Sequence, residues 1–307
     1  MKFHDSIYNE STSYSFIKTF FTPCLRPYLL KCLTTIMYNF FIRQHIAAFL
    51  PGKVPVSKVD HQLDEKIPFI PAWVKIYFDF VQFWIRMVSF FLHRYKRKAY
   101  PIANEIMLTM GNLYAYAAEV YSKHMSTTKR PFYITRPIFL LIHLVDPHLM
   151  CIPSLHVMIA IYGYTKFKEI SIRLGDEEKL KEQAVLMKQG ALAICQAILF
   201  VKQHSINCIP AAFYAMTCFS PELFPPQEAE TFTKLLFSPP PEKKDVPDNC
   251  RVHPACAPIT RINEDDQEKI KNHIMTLYRK FLEEGKSSDT WKEPILKFLK
   301  TFDTVQN

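Results

Sequence analysis

The chain has 307 residues, 49% of them hydrophobic and 22% charged, ordinary proportions that exclude a disordered, collagen-like or low-complexity chain. Its 6 glycines are too few for the many strand-to-helix turns of an open α/β fold, so helices are the expected element. The formal charge of +9 is unevenly placed: residues 1–220 carry 25 Lys+Arg against 14 Asp+Glu, whereas residues 221–307 carry 13 against 15, so the first part attracts anions such as phosphates or an acidic membrane surface.

Residues 1–24 read as an N-terminal segment on the cytoplasmic side; Met1 to Glu10 lacks the apolar run of a cleavable signal peptide. Apolar, helix-length stretches follow at about 25–50, 72–93, 101–121, 138–145 running on through 152–166, 189–202 and 206–220. Lys31, Arg43, Lys75, Asp79, Arg86 and Glu105 interrupt them, and only 147–165 and 203–221 reach 19 residues without Asp, Glu, Lys or Arg. Asp176 opens a charged surface helix over 176–188, separate from the apolar stretch after it. A Pro-rich irregular linker is expected over 221–262. Residues 263–285 then place Ile270, Ile274, Leu277, Tyr278 and Phe281 on one helical face, and a last short helix from near Ser288–Asp289 carries Trp291, Ile295 and Phe298.

The 8 cysteines follow no repeating spacing and read as reduced, buried thiols. Cys250, His253 and Cys256 form C-x-x-H-x-x-C, three donors in a Pro-rich loop with no fourth nearby, so no metal site is expected. No long basic run or nucleic-acid-binding motif accompanies the positive charge, and nucleic acid is not an expected partner.

Three clusters carry chemistry. Lys129-Arg130-Pro-Phe-Tyr-Ile-Thr-Arg136-Pro137 sets several cations before an apolar helix, and guanidinium forks match phosphate oxygens. Cys151-Ile-Pro153-Ser154-Leu-His156 is a turn opening a helix, where Ser154 can cap, free N–H groups can hold an anion and His156 sits in the first turn. Val201-Lys202-Gln203-His204-Ser205 places polar residues between two apolar helices, where burial demands partners or a polar site.

Together these motifs resemble the type 2 phosphatidic acid phosphatase superfamily over about residues 50–220. Lys129 with Arg136-Pro137 matches its first motif, and Pro153 to His156 its second. Asp146 upstream, and a segment similar to Leu63 through Pro71, look most like the inositol phosphorylceramide synthase-like branch. The third motif keeps only its histidine, His204: Ala197 and Ile198 stand at its Ser-Arg positions and Cys208 at its Asp position. Lys202, one helical turn after Ile198, is expected to replace the arginine, and Asn207 or Cys208 to orient His204.

The resemblance implies an all-α, six-helix membrane bundle over 25–220, with a Pro-rich linker and helical tail over 221–307. Six crossings from a cytoplasmic N-terminus would place the basic loops at Arg94–Lys98 and 166–188 inside, the three clusters on the extracytoplasmic face, and the tail in the cytoplasm. It further implies a lipid phosphate phosphatase or phosphotransferase working without metal or cofactor, its partners being the membrane and a lipid phosphate; no protein partner is legible. His204 would be the nucleophile, His156 the acid for the leaving oxygen, and Lys129, Arg136, Ser154 and Lys202 the phosphate binders. The alternatives are an inactive membrane protein of the same fold that binds a phosphorylated lipid, and a soluble helical acid phosphatase.

Overall fold

A computed structural model describes residues 6–50, 52–131, 133, 139, 146–238 and 262–304. Helices carry the architecture, and the expectation of an all-α chain holds. In chain order they are α1 (Thr12–Phe21), α2 (Arg26–Ile36), α3 (Arg43–Phe49), α4 (Val74–Tyr95), α5 (Tyr100–Tyr121), α6 (Leu155–Arg173), α7 (Glu177–Phe200), α8 (Cys208–Phe219), α9 (Pro226–Leu235), α10 (Glu264–Lys286) and α11 (Glu293–Leu299). A π-helical stretch, Met37–Ile42, joins α2 to α3.

The centre of the bundle is α6, the C-terminal half of α7 and α8, apolar nearly all round and buried to match. Glycine 175, at φ +69, lets α6 turn into α7: its N–H bonds the Ile172 carbonyl while the Asp176 N–H bonds the Ser171 carbonyl, a Schellman ending. The short turn makes the two helices antiparallel neighbours, and α4 packs against both. Helices α2 and α5 pair on one side, with Gly111 allowing close approach to Cys32 and Thr35.

The structure differs from the expected elements at three places. The charged stretch 176–188 and the apolar stretch 189–202 form one helix, α7, because no proline separates them and its only interior glycine, Gly190, is closely packed by Tyr8 and Phe83. Helix α9 forms inside the expected linker, with Pro226 in its first turn and Ala229, Phe232 and Thr233 buried. Helix α1 lies within the expected N-terminal segment, its start capped by the Ser11 hydroxyl accepting from the Tyr14 N–H. Residues 239–261, with Cys250, His253 and Cys256, lie outside the described residues.

Among the described residues one helix, α7, is long and apolar enough to cross a membrane, and 67% of its apolar window is buried inside the bundle. The tail does not stand apart. Helix α10 packs on α8 with Ile270, Ile274, Leu277, Tyr278 and Phe281 all buried, as its spacing requires. Trp291 stacks on Tyr116 of α5 at 3.8 Å, and Ser57 and Lys58 bond the Leu299 and Asp303 carbonyls.

Two three-residue strands, β1 (Val56–Lys58) and β2 (Met125–Thr127), pair in parallel with Ser57 opposite Ser126. Ser126 then fixes the chain ahead of α6: its N–H bonds the Leu149 carbonyl, its carbonyl accepts from Cys151 and its hydroxyl accepts from the Ile152 N–H.

Candidate active site

Up-and-down packing brings the described residues of the three clusters to one end of the bundle. Helices α4, α6 and α8 begin there and α5 and α7 finish there, so the first turn of α6 and the loop after α7 meet although they are far apart in sequence. The imidazoles of His156 and His204 lie edge to face with ring centroids 5.2 Å apart. Tyr77 stacks on His156 at 4.4 Å and the Phe80 ring lies 4.0 Å from it, so α4 supplies two aromatic neighbours. His148 lies 6.2 Å from His204 and is held by Thr128 through Nε2 at 2.8 Å.

Three polar atoms at this end are buried with no hydrogen-bond partner among the described residues: His156 Nε2, His204 Nδ1 and Ser154 Oγ. Ser154 stands at the N-cap of α6, but its hydroxyl makes no capping bond. A buried polar atom without a partner costs about 1–3 kcal/mol; at this helix N-terminus the Ser154 hydroxyl is free to donate to an anion, while the His204 ring, bonded to the Cys151 carbonyl, is left with a bare Nδ1 lone pair.

Burial lowers the pKa of His204 to about 4; a hydrogen bond to the Cys151 carbonyl opposes the shift and the Arg130 charge adds to it. Burial, followed by the neighbouring His204, holds His156 well below the usual histidine range. Both rings are therefore neutral at pH 7. A dianionic phosphate beside them would favour the imidazolium form, the change a proton donor needs.

The loop carrying His204 is built by a helix ending and a carboxylate. Helix α7 stops at Phe200 in a second Schellman motif: Lys202 N–H bonds the Leu199 carbonyl and Gln203 N–H bonds the Ile198 carbonyl. Lys202, at φ 54, occupies the left-handed position usually taken by glycine. The same-face argument for Lys202 therefore fails: it lies beyond the end of the helix, and its amine donates to the Asp64 carbonyl. Asp64 pins the rest, accepting from Ile206 N–H at 2.8 Å and from His61 N–H at 2.7 Å. Ile70 N–H bonds the Phe200 carbonyl, so the stretch from Leu63 to Pro71 clasps the end of α7.

The other expected site residues fall as follows. Lys129 is exposed, with its N–H on Asp60; the cation facing the imidazoles is its neighbour Arg130, which donates to the Asp146 carbonyl and to Gln203 Oε1. Arg136 lies outside the described residues. Asn207 is engaged elsewhere, donating to the Val59 carbonyl and accepting from His273 Nε2 at 2.8 Å. Cys208 is fully buried, and burial pushes its thiol well above the ordinary range, so it supplies no carboxylate-like charge. The group that holds the His204 ring is the Cys151 backbone carbonyl.

Sequence reasoning passed over Arg130, Tyr77 and His148. Arg130 was legible as a member of the basic cluster; Tyr77 and His148 had no signal, because only packing brings them to the histidines. Among the described residues no group of three His, Cys, Asp or Glu is placed to hold a metal. In comparisons with known proteins the chain matches no family model, no curated protein and no solved structure.

Proposed function

We propose that the chain is a lipid phosphate phosphatase or phosphotransferase that forms a phosphohistidine at His204. The observation carrying this reading is the meeting of two buried, neutral imidazoles beside a spare serine hydroxyl, each with an unpartnered polar atom among the described residues. His204 Nδ1 attacks phosphorus as the bond to the leaving oxygen breaks, and that oxygen takes its proton from His156, charged once the phosphate is bound. Water or an acceptor alcohol then attacks the phosphohistidine with His156 as base, which decides between hydrolysis and transfer. Ser154, the first N–H groups of α6 and Arg130 stabilise the phosphate oxygens, with Arg136 and Lys129 as further cations of the same cluster.

Membrane contact in this reading comes from a surface rather than from six crossings. Helix α10 lies along α8 and carries the ion pair Lys269–Asp265, with Arg279 reaching Glu230 of α9; at bilayer depth these charges would each cost about 3 kcal/mol. The bond from His273 to Asn207, which sets the tail beside the third cluster, supports this surface reading.

A second reading, a phosphorylated-lipid binder without turnover, is favoured by one observation: of the residues expected to orient His204, Asn207 is engaged by Val59 and His273 and the Cys208 thiol is held neutral by burial. Phosphate release from phosphatidic acid in mixed micelles, compared with release from the soluble p-nitrophenyl phosphate, separates the readings. The lipid enzyme releases phosphate from the micelles, yields an acid-labile, base-stable phosphoprotein, loses both in His204→Ala, and slows about 10²–10⁴-fold in His156→Ala. Binding of phosphatidic acid with no release would establish the silent binder; activity on the soluble ester alone would establish the acid phosphatase.

A further inference from the structure

Helices α1 and α3 are built inside out. On α1, Ser15 and Thr19 face the bundle while Phe16, Ile17, Phe20 and Phe21 are exposed. On α3 the buried residue is Gln44, its amide atoms unpartnered among the described residues, while Ile46 and Phe49 face out. Of the fifteen large apolar side chains exposed among the described residues, eleven fall between Phe16 and Leu50, with Phe21 at 75% and Phe49 at 79%. The other four are scattered, so the exposed apolar side chains concentrate in the layer of α1 to α3.

The charge of the same layer selects its occupant. From Ser11 to Val59 the chain holds Lys18, Arg26, Lys31, Arg43, Lys53 and Lys58 and no Asp or Glu. A cavity of about 160 Å³ opens beside the patch, lined by Tyr38, Ile42, Ile46 and Tyr121 together with Arg43 and Lys53. Arg43 Nε is buried there without a hydrogen-bond partner among the described residues. Apolar side chains flanked by cations only are the composition of an in-plane helix seated at the boundary of headgroups and acyl chains.

We propose that α1–α3 form an in-plane docking surface for an anionic lipid bilayer, with Arg43 and Lys53 taking a lipid headgroup phosphate. The cavity lies next to the candidate active site, since Tyr121, which lines it, donates its hydroxyl to the Pro153 carbonyl. The proposal extends the lipid-phosphate reading by naming the surface that meets the membrane. Its test uses no turnover and is repeated in His204→Ala, so failure of the catalytic reading leaves it standing.

The test is co-sedimentation of the full-length chain with phosphatidylcholine vesicles, with and without phosphatidylserine. The expected result is binding to the anionic vesicles, weakened by salt and by Arg26→Glu/Lys31→Glu by on the order of fivefold per cation removed. Phe21→Glu/Phe49→Glu is expected to abolish it. Circular dichroism shows whether these exposed substitutions leave the fold intact. A further measurement retains the apolar character: Phe21→Trp and Phe49→Trp are each expected to add fluorescence quenched by brominated lipid, and Leu235→Trp, outside the patch, to add none. No vesicle binding, equal binding to both vesicle types, or no added quenching would overturn the proposal. So would a dimer in solution that Phe21→Glu/Phe49→Glu dissolves without any vesicle binding, since the patch would then meet a second copy.

Discussion

His204 and His156 store part of the cost of the site in their protonation. In the unfolded chain a histidine titrates near 6.5, whereas burial holds His204 at about 4 and His156 also below its ordinary value. Between about pH 6.5 and 4 the unfolded chain therefore binds more protons than the folded one, so stability falls as pH falls through that window and levels off for His204 below about 4. His273, half-buried beside His61, acts in the same direction. Urea unfolding is expected to show a loss of about 2 kcal/mol from His204 alone between pH 7 and pH 5. His204→Gln should flatten that slope. A bound phosphate analogue such as vanadate should flatten it too, by stabilising the imidazolium form that acid otherwise has to force.

Charges inside apolar helices are explained at the scale of the element. Asp79 and Arg86 interrupt α4 as a sequence, yet they stand two turns apart and bond each other, both nearly fully buried, with Arg86 also 5.2 Å from the Tyr8 ring. Removing one partner strands the other: Arg86→Ala is expected to cost about 3–5 kcal/mol in chemical denaturation. Asp79→Leu/Arg86→Met together should come within about 1 kcal/mol of the parent, because an apolar pair of similar volume replaces two desolvated charges. The end of α7 follows a different local logic. Its Schellman turn requires a left-handed residue, and Lys202 occupies it while donating to the Asp64 carbonyl, so the residue expected to bind phosphate has a backbone and side-chain role in holding the His204 loop.

Across the whole molecule the tail completes the bundle. Tyr278 bonds Thr217 of α8, Lys292 pairs with Glu119 of α5 and Lys188 of α7 with Glu228, so each tail helix is tied to a different helix of the bundle. Ile274 is fully buried between α10 and its neighbours. Ile274→Ala is therefore expected to lower the stability of the single unfolding transition by about 2–5 kcal/mol, as for any core truncation. An independent appendage would instead leave the main transition in place and melt separately in calorimetry.

The helical class, the five inward residues of α10 and the two histidines whose rings meet were legible in the sequence, because periodicity, low glycine content and motif spacing are local properties of a chain. Even the cation that faces the imidazoles was within reach, one position along from Lys129 in the same basic cluster. What only the tertiary structure decided is which groups those histidines meet: Tyr77 and Phe80 around His156, the Cys151 carbonyl at His204, and Asn207 turned toward His273. These partners come from distant segments joined by β1, β2 and the clasp at Asp64, and no periodicity records which segments meet. The same holds for the apolar residues of 16–50. A sequence shows that they are apolar, but whether they face the core or the solvent depends on which side of each helix the rest of the bundle covers, and here it covers Ser15, Thr19 and Gln44.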